Sequence, residues 1–551
     1  MTEWVLGIDL GSGGPKVAAV ALDGEILATA LRGVSVDVGA DGAATQDAAE
    51  WQRTLTAAVQ EVAAAMVGAK LVSIGITGQW GSSVPVGVDG VAVGPVLMWA
   101  DSRGARYARD IVGGPISVGG YSPRKMVSWI RLTGGGPNPA GADPTGHWQL
   151  LTHDFPDVAR RTAYLLEPVD YLGYLLTGQV AATPASMILS WLTDNRPPRT
   201  RTSGRTRGAP TGAPLAPHYV ADLVRKARRD PATLPPLQPT GSVQGGLLPE
   251  VAEQWGVAAG TPVITGIPDF HAAAIGSGGV APFQTHMAIS TTAWFSAPVP
   301  FKKTDVWHSI ATVPGLQPEL PLVINNVETA GAALTWLREQ IIAPADGLSG
   351  GGSGIGAEGA ASVGLNPTYE ELIALAVDVP AGSEGVLFAP WLAGERSPVD
   401  DRDLRGTWLN LSLRTTRAAL VRSVLEGVAY NARWLFEPYE KFLGQRVGQI
   451  RILGGGAQSD LWCQIMADVL DRPIERVADP RNAQLRGVAL WSLVGLGRMS
   501  LQQAAASVPI DRLFRPNPAN RDVYDALYAE YRRIHPMVKS MYRRLSRILP
   551  R

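Results

Sequence analysis

The chain has 551 residues, more than the roughly 250–300 that a single core usually fills, so more than one domain is expected. Hydrophobic residues make up 46% and charged residues 18%, ordinary values for a folded protein with sizeable cores. Lys plus Arg and Asp plus Glu both number 49, so no global field recruits nucleic acid or holds an anionic membrane.

The opening segment MTEWVLGIDLGSGG has no basic stretch followed by a long apolar run, and no part of the chain approaches ~18 uninterrupted apolar residues. The expectation is a cytoplasmic protein. VLGIDL, KVAAVAL and LVSIGITG read as strands, and residues 47–66 read as an amphipathic helix. This alternation argues for an α/β class with a largely covered sheet. Between the first two strands lies Gly11-Ser12-Gly13-Gly14. A dinucleotide or Walker-type loop would open a helix, whereas the residues after it are β-like. The reading is a hairpin whose turn amides and Ser12 hydroxyl face an anion, with Lys16 on its far side. Asp9, ending the first strand, would lie near Mg²⁺.

Residues 196–217 combine Pro, Gly, Thr and five Arg without apolar period and read as a solvated loop insertion; 347–365, rich in Gly, Ala and Ser, read as a flexible excursion. Strand TPVIT precedes Asp269, which is either a helix cap or a carboxylate that accepts a hydroxyl proton. His271, two residues on, reads as structural. A second strand–turn–strand unit runs from THMAIS through Thr291-Thr292 into AWFSA, and IRILGGG echoes VSIGITG, so the chain reads as a duplication with two phosphate turns facing each other. Gly454-Gly455-Gly456-Ala457, followed by Asp460 and a helix, suits an adenine or ribose. Cys463 on that helix cannot form an intrachain disulfide and reads as a small buried hydrophobe.

Seven segments in order resemble the FGGY-type carbohydrate kinases, closest in pattern to the xylulokinases. They are Asp9 to Lys16, Gly75 to Gln79, Trp99 to Arg103, Leu166 to Leu172, Gly266 to Gly278, Leu392 to Pro398 and Gly454 to Asp460. The resemblance implies two ribonuclease-H-like domains of the actin and hexokinase type flanking a cleft, taken as 1–258 and 259–515, with a helical tail at 516–551. It implies ATP and Mg²⁺ as cofactors, a small sugar as substrate, and Asp269 as base. Asp9, Gly11, Ser12, Lys16, Ser290, Thr291, Thr292, Gly454, Gly455, Gly456, Ala457 and Asp460 would hold the nucleotide, with Asp9 and Asp269 on the metal. Gln79, Trp80, Gly81, Asp101, Arg103, Asp269 and Phe270 would meet the sugar. Related kinases are often dimers, which leaves a homodimer open. Where xylulokinases show Gln-Met-His-Gly this chain has Gln79-Trp80-Gly81-Ser82, and Ser290-Thr291-Thr292 replaces Gly-Thr-Ser. D-xylulose is the first choice of acceptor; ribulose, glycerol, gluconate or a non-catalytic sensing role are the alternatives.

Overall fold

The computed structural model describes residues 2–117, 119–196, 216–343 and 367–548. The segment 347–365, and 196–217 apart from 196, 216 and 217, lie outside the described residues.

Strand β1 (Glu3–Gly11) turns back into β2 (Gly14–Ala21), and β3 (Ile26–Leu31) pairs antiparallel with β2. All seven residues between the ends of β1 are buried, which is why its sequence is nearly continuously apolar. Helix α1 (Ala48–Ala65) starts where the Asp47 carboxylate accepts from the Ala49 amide, and it buries Trp51, Leu55, Ala58, Val59 and Val62 at helical spacing. Strand β4 (Lys70–Gly78) then lies parallel to β1.

The same sheet also takes in β5 (Val243–Gly246), β6 (Pro262–Ile264) and β7 (Ile267–Pro268); β6 and β7 both run parallel to β4. The order along it is β5-β6-β4-β1-β2-β3. Residues 262–268 close the first sheet, and α2 (Asp269–Gly276) leaves from its edge.

Strands β8 (Thr285–Ile289) and β9 (Ala293–Ser296) form a hairpin. After the long helix α3 (Arg417–Leu443), β10 (Ile450–Leu453) lies parallel to β8, as β4 lies beside β1. Helix α4 (Asp460–Leu470), β11 (Ile474–Val477), α5 (Ala483–Gly495) and β12 (Ile510–Phe514) complete the order β9-β8-β10-β11-β12. The strand–turn–strand unit with a parallel third strand thus occurs twice, as the duplication predicts. The last helix, α6 (Arg521–Ile548), is helical as expected but is no appended tail: Tyr524, Tyr528, Tyr531 and Ile534 enter the core built around α3.

A third core joins the halves. It combines Val5, Val20 and Val72 of the first sheet with Ala272 and Ile275 of α2, and with Leu485, Val488 and Ala489 of α5. Helix α5 reaches the first sheet because Gly7 and Gly75 leave room: a Cβ there would lie 2.8 Å from the Leu485 carbonyl oxygen and 2.4 Å from that of Val488. Cys463 is fully buried on α4, and burial pushes its thiol up to about 12, so it is no nucleophile. Among the described residues no helix is long and apolar enough to cross a membrane.

Candidate active site

The first hairpin presents Asp9 and Lys16 as direct cross-strand partners, with Lys16 Nζ 3.3 Å from Asp9 Oδ2. Asp9 is only 4% exposed, so this carboxylate is held by the β1 backbone beneath the turn rather than drifting in solvent. Gly14 has φ +122, and a Cβ on it would strike the Arg32 carbonyl oxygen at 2.1 Å, so the turn closes only with glycine. Around Gly13 no atom stands within 4 Å of such a position, which leaves the outer surface of the turn open to a ligand.

In the second half, Ser290-Thr291-Thr292 joins β8 to β9, and Ser290 and Thr291 are exposed. The turn is fixed from inside: the Ser290 amide donates to the Thr292 carbonyl (2.8 Å), and the amides of Ala330 and Gly331 donate to the carbonyls of Thr291 (2.9 Å) and Ser290 (2.7 Å). The Ser290 hydroxyl also donates to the Thr292 carbonyl, at 3.4 Å. The three glycines after β10 divide their labour. A Cβ at Gly454 would meet the Ile289 carbonyl oxygen at 2.3 Å and one at Gly456 the Ile289 side chain at 2.4 Å, whereas Gly455 faces open space. Ala457 is buried behind them. Asp460, expected on the nucleotide side, forms ion pairs with Arg476 (2.6 Å) and Arg512. Sequence reasoning did not single out Arg476, whose guanidinium also donates to the carbonyls of Ala457 and Gln458 at 3.4 Å and so braces the glycine turn. An arginine inside a strand gives no local signal for that role.

Asp269 is the first residue of α2, with Pro268 at the cap position, and its carboxylate accepts from the amides of Phe270 and of Asp269 itself. Burial, together with the neighbouring Asp9 carboxylate, pushes its carboxyl up to about 7, while Lys16 pulls it down. The carboxylates of Asp9 and Asp269 are thus close enough to raise one another's cost of ionisation, with Lys16 beside both. Among the described residues no group of three or more His, Cys, Asp or Glu could hold a metal by itself. His271 is structural as read: Nε2 donates to the Pro314 carbonyl at 2.8 Å, and burial lowers its pKa to about 4.

On the sugar side, Gln79, Trp80 and Gly81 follow β4. Gln79 is buried, and its amide donates to the Leu10 carbonyl (2.8 Å), tying this segment to β1. Trp80 is half-buried, with its ring 4.7 Å from that of Phe270 and part of it accessible. The Gly81 amide donates to Glu167 Oε2 at 2.8 Å, and φ +78 suits glycine there. Two further residues expected on the sugar side are buried. Phe270 is 4% exposed beneath Trp80. Asp101 is fully buried, with its oxygens taken by Arg103 (2.7 Å) and the Ala44 amide (3.1 Å). Asp101 therefore orients Arg103, which alone of the pair keeps some exposure.

Two family models match the chain: the FGGY family of carbohydrate kinases, N-terminal domain, over residues 4–118, and its C-terminal domain over 290–496, together more than half of it. A xylulose kinase of Staphylococcus epidermidis is 24% identical over 98% of both chains. A gluconokinase of Bacillus subtilis is 22% identical, covering 99% of this chain and 96% of its own. The crystal structure of gluconate kinase from Lactobacillus acidophilus superposes with a TM-score of 0.80 at 19% identity, over 99% of this chain and all of that one. The chain belongs to the FGGY family of carbohydrate kinases. Its two halves have the two-domain actin and hexokinase-like fold of that family's solved structures.

Proposed function

We propose that this kinase transfers the γ-phosphoryl group of ATP to a hydroxyl of a small carbohydrate, D-xylulose first among the candidates, with Asp269 as base. The observation that carries the reading is the sheltered Asp269 carboxylate at the start of α2, which shares its surroundings with Asp9 and Lys16. The substrate oxygen attacks the γ-phosphorus, the bond from that phosphorus to the β,γ-bridging oxygen breaks, ADP leaves, and the hydroxyl proton passes to Asp269. Asp269 aligns the hydroxyl first and takes its proton late, as the oxygen commits to phosphorus. Lys16 and the amides of the two turns face charge on the phosphates. Mg²⁺ held by Asp9 and Asp269 would supply further neutralisation of that charge.

A gluconokinase among the relatives makes an aldonate the second reading of the acceptor. A panel of D-xylulose, ribulose, gluconate and glycerol with Mg-ATP tests the proposal by coupled detection of ADP. Release dependent on one acceptor is expected, strongest with a ketopentose; ADP release with none of them sinks the kinase reading. Trp80→Ala is expected to raise KM for the accepted sugar about tenfold while leaving KM for ATP nearly unchanged, because only the sugar wall loses its ring. Equal change in both constants would remove Trp80 from the sugar site.

A further inference from the structure

Four segments distant in sequence close a hydrogen-bonded ring beneath the first phosphate turn. The Trp99 indole Nε1 donates to Ser12 Oγ at 3.1 Å, and the Trp99 amide donates to Ser82 Oγ at 3.0 Å. Ser82 Oγ donates to Gln79 Oε1 (3.1 Å), Gln79 Nε2 to Gln46 Oε1 (3.1 Å), and Gln46 Nε2 to the Ser12 carbonyl (2.8 Å). Gln46, Gln79 and Ser82 are all buried, while Trp99 is 37% exposed.

The direction of every bond follows from its two ends. The Ser12 carbonyl can only accept, so Gln46 must turn its NH₂ toward it and its oxygen toward Gln79. Gln79 must then donate to Gln46, and its oxygen is left to accept from Ser82. Ser82 spends its one hydrogen on Gln79 and offers a lone pair to the Trp99 amide, which can only donate. At the other end the Trp99 indole can only donate too, so it occupies a lone pair of Ser12 Oγ. The Ser12 hydroxyl hydrogen is thereby unable to point at Trp99 and is free to point out of the turn. Around neighbouring Gly13, on that outer side, the space is open.

We infer that Trp99 is a positioning residue: its indole N–H orients the Ser12 hydroxyl as a donor to a phosphate oxygen of the bound nucleotide, and the ring through Ser82, Gln79 and Gln46 locks that orientation to the sugar-side strand end. This rests on the kinase reading above. The consequence is a fixed donor where charge develops, with no rotor to reorganise during transfer. It also gives the sugar segment at Gln79 and the phosphate turn one rigid support, so displacement of either is felt by the other.

The test is Trp99→Phe, which keeps an aromatic ring and removes the one N–H. A fall in kcat of about tenfold is expected, the size of one oriented hydrogen bond, with KM for the sugar within about twofold. In a Ser12→Ala background the same change should have no further effect, because the hydroxyl it orients is gone. Affinity for Mg²⁺ with a non-hydrolysable ATP analogue, read by calorimetry, should follow the same non-additive pattern. That readout stands even if no acceptor on the panel is phosphorylated, so failure of the kinase reading and failure of this one are separable. Ser82→Ala, which frees the Trp99 amide, is the second variant, expected to weaken analogue binding in the same direction. Trp99→Phe with wild-type kcat and analogue affinity, or losses that add to those of Ser12→Ala, would overturn the assignment.

Discussion

Asp269→Asn is expected to lower kcat about 10³-fold, within the range that a positioned base contributes, while nucleotide affinity stays close to that of the parent. The same variant should be at least as resistant to denaturant as the parent, which distinguishes a reacting carboxylate from a structural one. The side chain is not at the cap position of α2, and asparagine keeps an oxygen that can accept from the first-turn amides as the carboxylate does. Its carboxyl is pushed up to about 7 by burial and by Asp9, so the ionised form is the one the folded state disfavours. The folded protein then binds more protons than the unfolded chain between the ordinary aspartate range and about 7. The parent therefore loses stability from this group as pH rises through that window, and asparagine does not. The stability advantage of Asp269→Asn should accordingly be larger at pH 8 than at pH 5, measured by denaturant midpoints in metal-free buffer. Turnover within tenfold of the parent would refute the base assignment, and a variant less stable at both pH values would mark Asp269 as structural.

Asp269 was legible because a short β-rich run, a strand end and a small-residue helix all lie within a dozen residues of it. The first hairpin was legible for the same reason: a continuous apolar strand, a Gly-rich turn and a second strand are local patterns. Helix α1 showed its period in the sequence alone. What escaped was set by pairing over long separations. Residues 262–268 join the first sheet by lying beside β4, nearly two hundred residues earlier, and no composition change marks that membership. Asp101 carries the right chemistry for a sugar ligand, yet its oxygens are consumed by Arg103 and the Ala44 amide, and only the folded arrangement of residue 44 against residue 101 reveals it. Gln46 had no visible role for the same reason, since its partners are Ser12 and Gln79.

The contact between the two halves gives the second large effect. Helices α2 and α5 meet backbone to backbone. A Cβ at Gly487 would lie 2.0 Å from the Ala272 carbonyl oxygen, and one at Gly276 would lie 1.8 Å from that of Ala483. The obstructing atoms are backbone in both cases, so no rotamer change relieves the clash, and the helices must separate. Gly487→Ala is expected to destabilise the protein by about 3 kcal/mol, the upper part of the usual range for overpacking, with Gly276→Ala at least as damaging. Alanine's better helix propensity, worth about 1 kcal/mol, opposes this but is too small to reverse it. Function should suffer beyond the stability loss. Helix α2 begins at Asp269, and α5 also rests on Gly7 of the strand that carries Asp9 and on Gly75 of the strand that leads into Gln79. Moving α2 away from α5 displaces Asp269 relative to the hairpin of Asp9 and Lys16, and where Asp269 is the proposed base a shift of about 1 Å can cost on the order of 10² in rate. Gly448→Ala is the control, since no atom lies within 4 Å of its added Cβ and it should fall within about 0.5 kcal/mol of the parent. Denaturant midpoints and kcat, taken at a temperature where all variants are folded, decide the matter. A Gly487→Ala protein with the parent's midpoint would show that the halves can part without cost and that the helix contact does not hold the base in place.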